Sequence, residues 1–157
     1  MKILTALSSL LLLSVCSHAM NIEVKGGDTI EIKFNHRLKS IRLDIMVNGY
    51  SVKCDGSKIL VWGKPKKMNE GNPQDTNIIL LDISNNYKKY EQGLSEGVFG
   101  VEYLKAGSNA YIDSNQGVFI NLFNGYLKEV TSEFDPSDEH NFESCKKHES
   151  WEFNRYP

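Results

Sequence analysis

An all-β fold is predicted for this chain: an antiparallel meander forming a barrel, a sandwich or a propeller-like sheet, held by one disulfide. Three observations predict it. Apolar residues alternate or cluster in short β-branched runs, Asn-Gly-type turns separate those runs, and no segment of twelve or more residues sustains helical periodicity.

The chain opens with a segment that predicts export. Lys2 supplies a positive start, and residues 3–15 form a mostly apolar run too short to span a bilayer as a helix. Ser17-His18-Ala19 then places small residues at the two positions a signal peptidase reads. Residues 1–19 are therefore expected to be a signal peptide cleaved after Ala19, with residues 20–157 forming a single β domain. An alternative is lipid attachment at Cys16, because Leu13-Ser14-Val15-Cys16 loosely resembles a lipoprotein box. Val15 stands where Gly, Ala or Ser is usual, which favours simple cleavage. No later run approaches the roughly eighteen apolar residues of a membrane span.

Strands follow in order. Residues 29–34 (TIEIKF) put every second residue on an apolar face, and 41–47 (IRLDIMV) repeat the pattern with Arg42, Asp44 and Met46 facing out. Residues 58–62, 78–83, 98–103, 110–112 and 118–123 are further apolar, β-branched or aromatic runs bounded by Gly, Asn, Asp or Ser. Residues 87–94 are ambiguous and have room for a helical turn.

Turns are expected at 47–50 (VNGY), 84–87 (SNNY) and 123–126 (FNGY), since Asn and Gly tolerate the positive φ of a type I′ hairpin. Residues 53–57 and 114–117 add two more. The asparagines at 48, 85 and 124 are spaced by 37 and 39 residues, close to the length of a propeller blade. Repeated use of the same turn chemistry in a meander accounts for that spacing equally simply.

Two stretches break the strand rhythm. Residues 64–76 (KPKKMNEGNPQDT) form a polar loop, and 134–150 a charged segment before Trp151 and Phe153. Their offset of two puts both rings on one face of an extended chain, as in a closing strand laid beside an earlier one.

Two cysteines remain beyond the leader, Cys54 and Cys145, and an even pair in an exported chain predicts a disulfide. It would close a loop of about ninety residues, worth roughly 4–5 kcal/mol by chain entropy. The competing reading is a thiol nucleophile beside His140 or His148.

Charge excludes some partners. The formal net charge is −2, and one unit more negative without Lys2, so neither a nucleic acid nor an anionic membrane surface finds a cationic footprint. The C-terminal segment gathers Asp135, Asp138, Glu139, His140, Glu143 and His148, where His140 and His148 would share a face of an extended chain. Its HExxE at 148–152 is not the HExxH zinc motif, and no metal or cofactor is expected. No nucleophile elbow, Walker A loop or dinucleotide glycine fingerprint is present, so no catalytic residue is assigned.

Recognition falls instead to the 64–76 loop. Lys64, Lys66 and Lys67 make a positive cluster, Asn69 and Glu70 follow at the tip, and Trp62 at the base is the expected anchor for a protein partner. A tolerated insertion over a core tryptophan is the alternative.

In its leader, its Cys54/Cys145 pair and its β meander over residues 22–126, the chain resembles, in type, periplasmic immunity proteins that block antibacterial toxins. It is similar in the same way to periplasmic lysozyme inhibitors. The resemblance implies a periplasmic inhibitor that occludes a toxin or a cell-wall hydrolase. An exported hydrolase and an envelope accessory protein are the alternatives. Intact-mass measurement on the exported protein should find a chain beginning at Met20 with both thiols oxidised. A full-length, reduced protein in the cytosol would refute the leader.

Overall fold

The computed structural model describes residues 20–68 and 70–156. The leader, with its lipid-attachment alternative at Cys16, and the partner contact expected of Asn69 lie outside the described residues.

Twelve strands are described. β1 (Asn21–Lys25), β2 (Thr29–Phe34) and β3 (Arg37–Arg42) form a first sheet, and β4 (Ile45–Val52), β5 (Lys58–Pro65), β6 (Thr76–Asp82) and β7 (Lys88–Leu94) a second. β8 (Val98–Tyr103), β9 (Asn109–Ser114), β10 (Val118–Asn121) and β11 (Leu127–Glu129) form a third. β12 (Glu152–Asn154) returns to the second sheet and pairs with β4, giving the order β12-β4-β5-β6-β7. Every pairing is antiparallel, and all but β12–β4 join neighbours along the chain.

The three sheets stack, and the second lies between the other two. Its alternating side chains divide cleanly between two cores. Ile59, Val61, Ile79 and Leu81 join Ile22, Ile30, Ile32 and Ile41 of the first sheet. Leu60, Trp62, Ile78 and Leu80 join Val101, Tyr103, Ile112 and Ile120 of the third. Unbroken apolar runs at 59–62 and 78–81 require this, because a strand apolar on both faces must be covered on both. The strand orders are linear and leave edges, so of the three closures expected the sandwich is the one formed.

One hydroxyl ties two layers together. Tyr103 of β8 donates to the Ser51 carbonyl at 2.7 Å and accepts from the Leu60 amide at 3.1 Å, bridging β4 and β5 from the third sheet. Burial pushes its phenol above the ordinary tyrosine range.

The alternation at 41–47 is correct in its facing but not its continuity. Leu43 and Asp44 separate β3 from β4, while Arg42, Asp44 and Met46 are exposed as expected. Residues 87–94 hide no helical turn: Tyr87 belongs to the turn and Lys88–Leu94 are β7, entered after a single 3-10 turn at Ile83–Asn85 that Asp82 caps. The expected hairpin at 47–50 does not form. Asn48 and Gly49 lie inside β4 at a bulge, where Val47 pairs with Gly63 and Gly49 with Trp62. The bare backbone of Gly49 is what allows the Trp62 ring to lie against it, since a Cβ there would stand 2.2 Å from Trp62 Cζ2. Asn-Gly suits a bulge as well as a turn. With Asn48 inside a strand, the spacing at 48, 85 and 124 marks no repeated unit. The other expected turns are present. Asn86 and Tyr87 (φ 53° and 60°) turn β6 into β7, while Gly56, Gly117 and Gly125 carry positive φ in the remaining three.

The C-terminal segment is a strap. Phe134 and Phe142 join Tyr111 and Phe119 of the third sheet, with the Phe119 and Phe134 rings 4.8 Å apart edge to face. The Glu143 amide then donates to the Tyr103 carbonyl at 2.8 Å. Cys145 bonds Cys54 in the β4–β5 turn, confirming the expected pair and leaving no thiol for the nucleophile reading. Glu143 reinforces the link by accepting from Lys53 Nζ at 2.7 Å and from the Cys54 amide at 3.2 Å. Trp151 and Phe153 both reach the first core, but only Phe153 lies in the closing strand expected of the pair; Trp151 ends the 3-10 turn at Glu149–Trp151, so their offset of two along an extended chain is not what brings them there. The Trp151 indole donates to the Met20 carbonyl at 2.8 Å, and Phe153 stacks on Tyr50 at 5.8 Å.

Gly49→Ala should lower unfolding free energy by about 1–3 kcal/mol, because the Trp62 ring cannot stay where it is. Gly100→Ala, with nothing within 4 Å of the added carbon, should be neutral or mildly stabilising. Urea denaturation of the two variants checks this, and equal effects would refute the packing account.

Candidate functional site

Where β12 and β4 meet β8, the second and third sheets leave a seam. The register of β12 on β4 sets what faces it. Glu152 pairs with Ser51 and Asn154 with Gly49, so these residues share the face that carries Leu60 and Trp62. Across the seam, β8 is an edge strand with a register shift between Val98 and Gly100 that turns Phe99 outward. Asn154 Nδ2 donates to the Phe99 carbonyl at 2.7 Å and bridges the two edges.

Two depressions run along this seam. The first, about 390 Å³, has Ser51 and Trp62 in its floor and Glu102, Asp113 and Glu152 in its walls. Neither Ser51 Oγ nor Trp62 Nε1 has a hydrogen-bond partner among the described residues. Leaving a buried donor or acceptor unmade costs about 1–3 kcal/mol, which is why natural proteins keep such groups few. Burial raises the Glu102 carboxyl above its ordinary range; Lys147 pulls it back, and Asp113, Glu152 and Glu139 push it further up.

The second depression, about 410 Å³, is lined by Asn48, Lys64, Pro73, Gln74, Phe99 and Tyr156 among others. Phe99 and Tyr156 are 55% and 65% exposed, as Phe123 and Tyr126 are elsewhere at 67% and 68%, but the first two line one depression. The loop beside them is tied down. Lys64 Nζ donates to the Pro73 carbonyl at 3.2 Å, and Asn72 Nδ2 reaches the Ser95 carbonyl at 3.1 Å. Lys66 Nζ meets Asp28 at 2.7 Å in the β1–β2 turn. Asp28 also receives Thr29 and Arg42, and these bonds, the one from Lys66 above all, hold its carboxyl well below the carboxylate range.

The residues expected to meet a partner are thus only partly brought together. Lys64 lines the second depression; Lys66 is committed to Asp28; Lys67 lines a separate hollow with Asp75, Asn77 and Ser95. Glu70 is exposed nearby. Trp62 is no surface anchor: it is 3% exposed, within the second core, because β5 is covered on both faces. Phe99 and Tyr156 escaped sequence reasoning. Phe99 sits in an apolar run that reads as core, and the only hint of its outward turn is the glycine that follows it.

Two 3-10 turns interrupt the polar C-terminal segment and His140 lies within the first, so its histidines do not share a strand face. His140 lies in a 3-10 turn with Asp138 Oδ1 at 3.0 Å, and His148 caps another turn beside Ser150. No group of three or more His, Cys, Asp or Glu among the described residues is arranged to hold a metal ion. Comparison of the chain with family models, curated proteins and solved structures returns no match. Among the described residues, no helix is long and apolar enough to cross a membrane.

The Asp28 cluster sets an acid dependence for the loop base. A carboxyl depressed in the folded state contributes stability that is complete above its unfolded pKa, near 3.8, and is lost as pH falls below that. Asp28→Asn should be less stable than the parent by a constant margin from pH 7 to about 5, with the margin shrinking below about pH 4. Denaturant titrations across that range read it, and a margin independent of pH would refute the role given to Asp28.

Proposed function

We propose that this protein is an exported binding module whose partner is another protein, seated on the surface made by Lys64, Pro73, Gln74, Phe99 and Tyr156. The observation that carries the reading is the pair of exposed aromatics beside a loop tied through Lys66 to Asp28 and through Asn72 to Ser95. Aromatic side chains supply large contact area, and a surface ordered before contact loses little entropy on binding. The loop's ties to Asp28 and Ser95 provide that order.

The partner class we favour is an antibacterial toxin or cell-wall hydrolase, with the protein acting as a periplasmic immunity protein by covering its cleft. The export leader, the disulfide and the rigid β scaffold support this over an enzyme. A lysozyme inhibitor is the nearest variant of the same idea and uses the same surface. The hydrolase alternative gains nothing from the histidine and glutamate side chains of the C-terminal segment. His140 is exposed on its own turn, and Glu143 is occupied with Lys53 and the Cys54 amide.

Cells exporting the protein should survive periplasmic delivery of the cognate cell-wall hydrolase, and a Phe99→Ala/Tyr156→Ala variant should lose at least tenfold in affinity and most protection, with thermal stability within about 2 °C of the parent. Replacing residues 66–75 by a short turn should likewise remove protection, with a loss of stability as well because it takes Lys66 from Asp28. Undiminished protection by both variants would move the partner to another face.

A further inference from the structure

A net charge of −2 gives no cationic footprint by itself, yet charge is unevenly placed in the fold. One end of the first two sheets is built by Met20 ahead of β1, by the β2–β3 hairpin tip, and by the β4–β5 and β6–β7 turns. Met20, Phe34, Gly56 and Tyr87 line one hollow there. Lys33, Arg37, Lys39, Lys88 and Lys89 are exposed at this end, and none of them makes an ion pair among the described residues. Lys39 Nζ lies 5.4 Å from the centre of the Tyr87 ring, and Lys88 Nζ 4.8 Å from that of Tyr90. The acids close by in the chain are engaged: Asp55 with Lys53 and Ser57, Asp82 with Lys58, and Glu31 with Ser40. Positive charge is therefore in surplus here.

Apolar surface lies at the same place. Phe34 and Leu38, on either side of the Asn35-His36 turn, are 43% and 62% exposed. Phe34 pairs with Arg37 and Lys33 with Leu38, so each face of the hairpin tip carries one apolar and one basic side chain. Such a tip suits the headgroup layer of an anionic bilayer: lysine and arginine meet the phosphates, while phenylalanine and leucine enter the acyl boundary. A soluble polyanion would use the charge and leave both apolar side chains uncovered.

The path of the chain agrees. Met20 is 4% exposed and its carbonyl accepts from the Trp151 indole, so residues 1–19 join the domain at this end. A chain held during export by its apolar run at 3–15, or by a lipid on Cys16, turns this end to the bilayer. We propose that this end docks on an anionic phospholipid bilayer, with Phe34 and Leu38 inserted and the five basic side chains on the headgroups. The β1–β2 turn and the 64–76 loop, joined by Asp28 and Lys66, lie at the other end of the strands. The eight residues of β5 separate the two ends by about 23 Å of strand rise. The loop surface then faces away from the bilayer, and the docking does not depend on what that surface binds.

The test is flotation of the exported protein, beginning at Met20, with phosphatidylcholine vesicles that contain or lack phosphatidylglycerol. The protein should float with the anionic vesicles only, and less as salt is raised. Arg37→Gln/Lys39→Gln should weaken binding roughly tenfold or more, while Lys25→Gln, at the far end of β1, should leave it unchanged. Should removal of Lys39 from Tyr87 unfold the tip, Lys33→Gln/Arg37→Gln reads the same loss. Leu38→Ser should also weaken binding, and the emission of Leu38→Trp should shift to the blue on anionic vesicles. Equal flotation with neutral vesicles, undiminished binding by a folded basic variant, or Leu38→Trp emission unmoved by vesicles would overturn the proposal. So would capture by heparin as strong as that by the vesicles and indifferent to Leu38→Ser, which would give this end to a soluble polyanion.

Discussion

Two-sided burial of β5 and β6 is the constraint from which the rest follows. Alternate residues of each strand enter different cores, with Leu60 and Trp62 on one side and Ile59 and Val61 on the other. Each fully buried aliphatic side chain of this kind is worth about 1.5–3 kcal/mol relative to exposure. A sheet apolar on both faces cannot be left with one face wet, so a layer must form on each side. The N-terminal hairpins and the β8–β11 meander are those layers. Tyr103 shows how closely they fit, since its hydroxyl reaches through to the backbones of β4 and β5.

The C-terminal strap then turns a stack of sheets into a scaffold with a seam. It crosses the third sheet on Phe134 and Phe142, links to the β4–β5 turn through Cys145, and adds β12 to the β4 edge. The disulfide and the Glu143 bonds fix where β12 lands, and Phe153 and Trp151 hold it from the first core. This placement sets Glu152 and Asn154 opposite β8. Without it there would be no cleft wall on that side and no bridge from Asn154 to Phe99.

Strain and openness gather along that seam. Trp62 lies against a glycine at a bulge, Phe99 is turned out by a second bulge, and two buried polar atoms stand unsatisfied between them. Departures also occur away from it, in the positive φ of His36 and Tyr87 at hairpin turns. Departures from local consistency that cluster in one place are the usual mark of a surface shaped for another molecule.

The all-β class, most strand positions, the Cys54–Cys145 bridge and a closing strand at Phe153 beside an earlier one were legible from the chain alone. Each rests on period-two alternation, turn chemistry or cysteine parity, which are local or countable properties. Other features were settled only by tertiary structure. Asn48-Gly49 became a bulge because Trp62 needed the space above Gly49, and Trp62 became core because a third sheet covered its strand. The seam joins residues forty or more positions apart, Ser51 and Trp62 with Glu102, Asp113 and Glu152. No periodicity encodes that meeting; the order in which three sheets stack and one strap closes over them decides it.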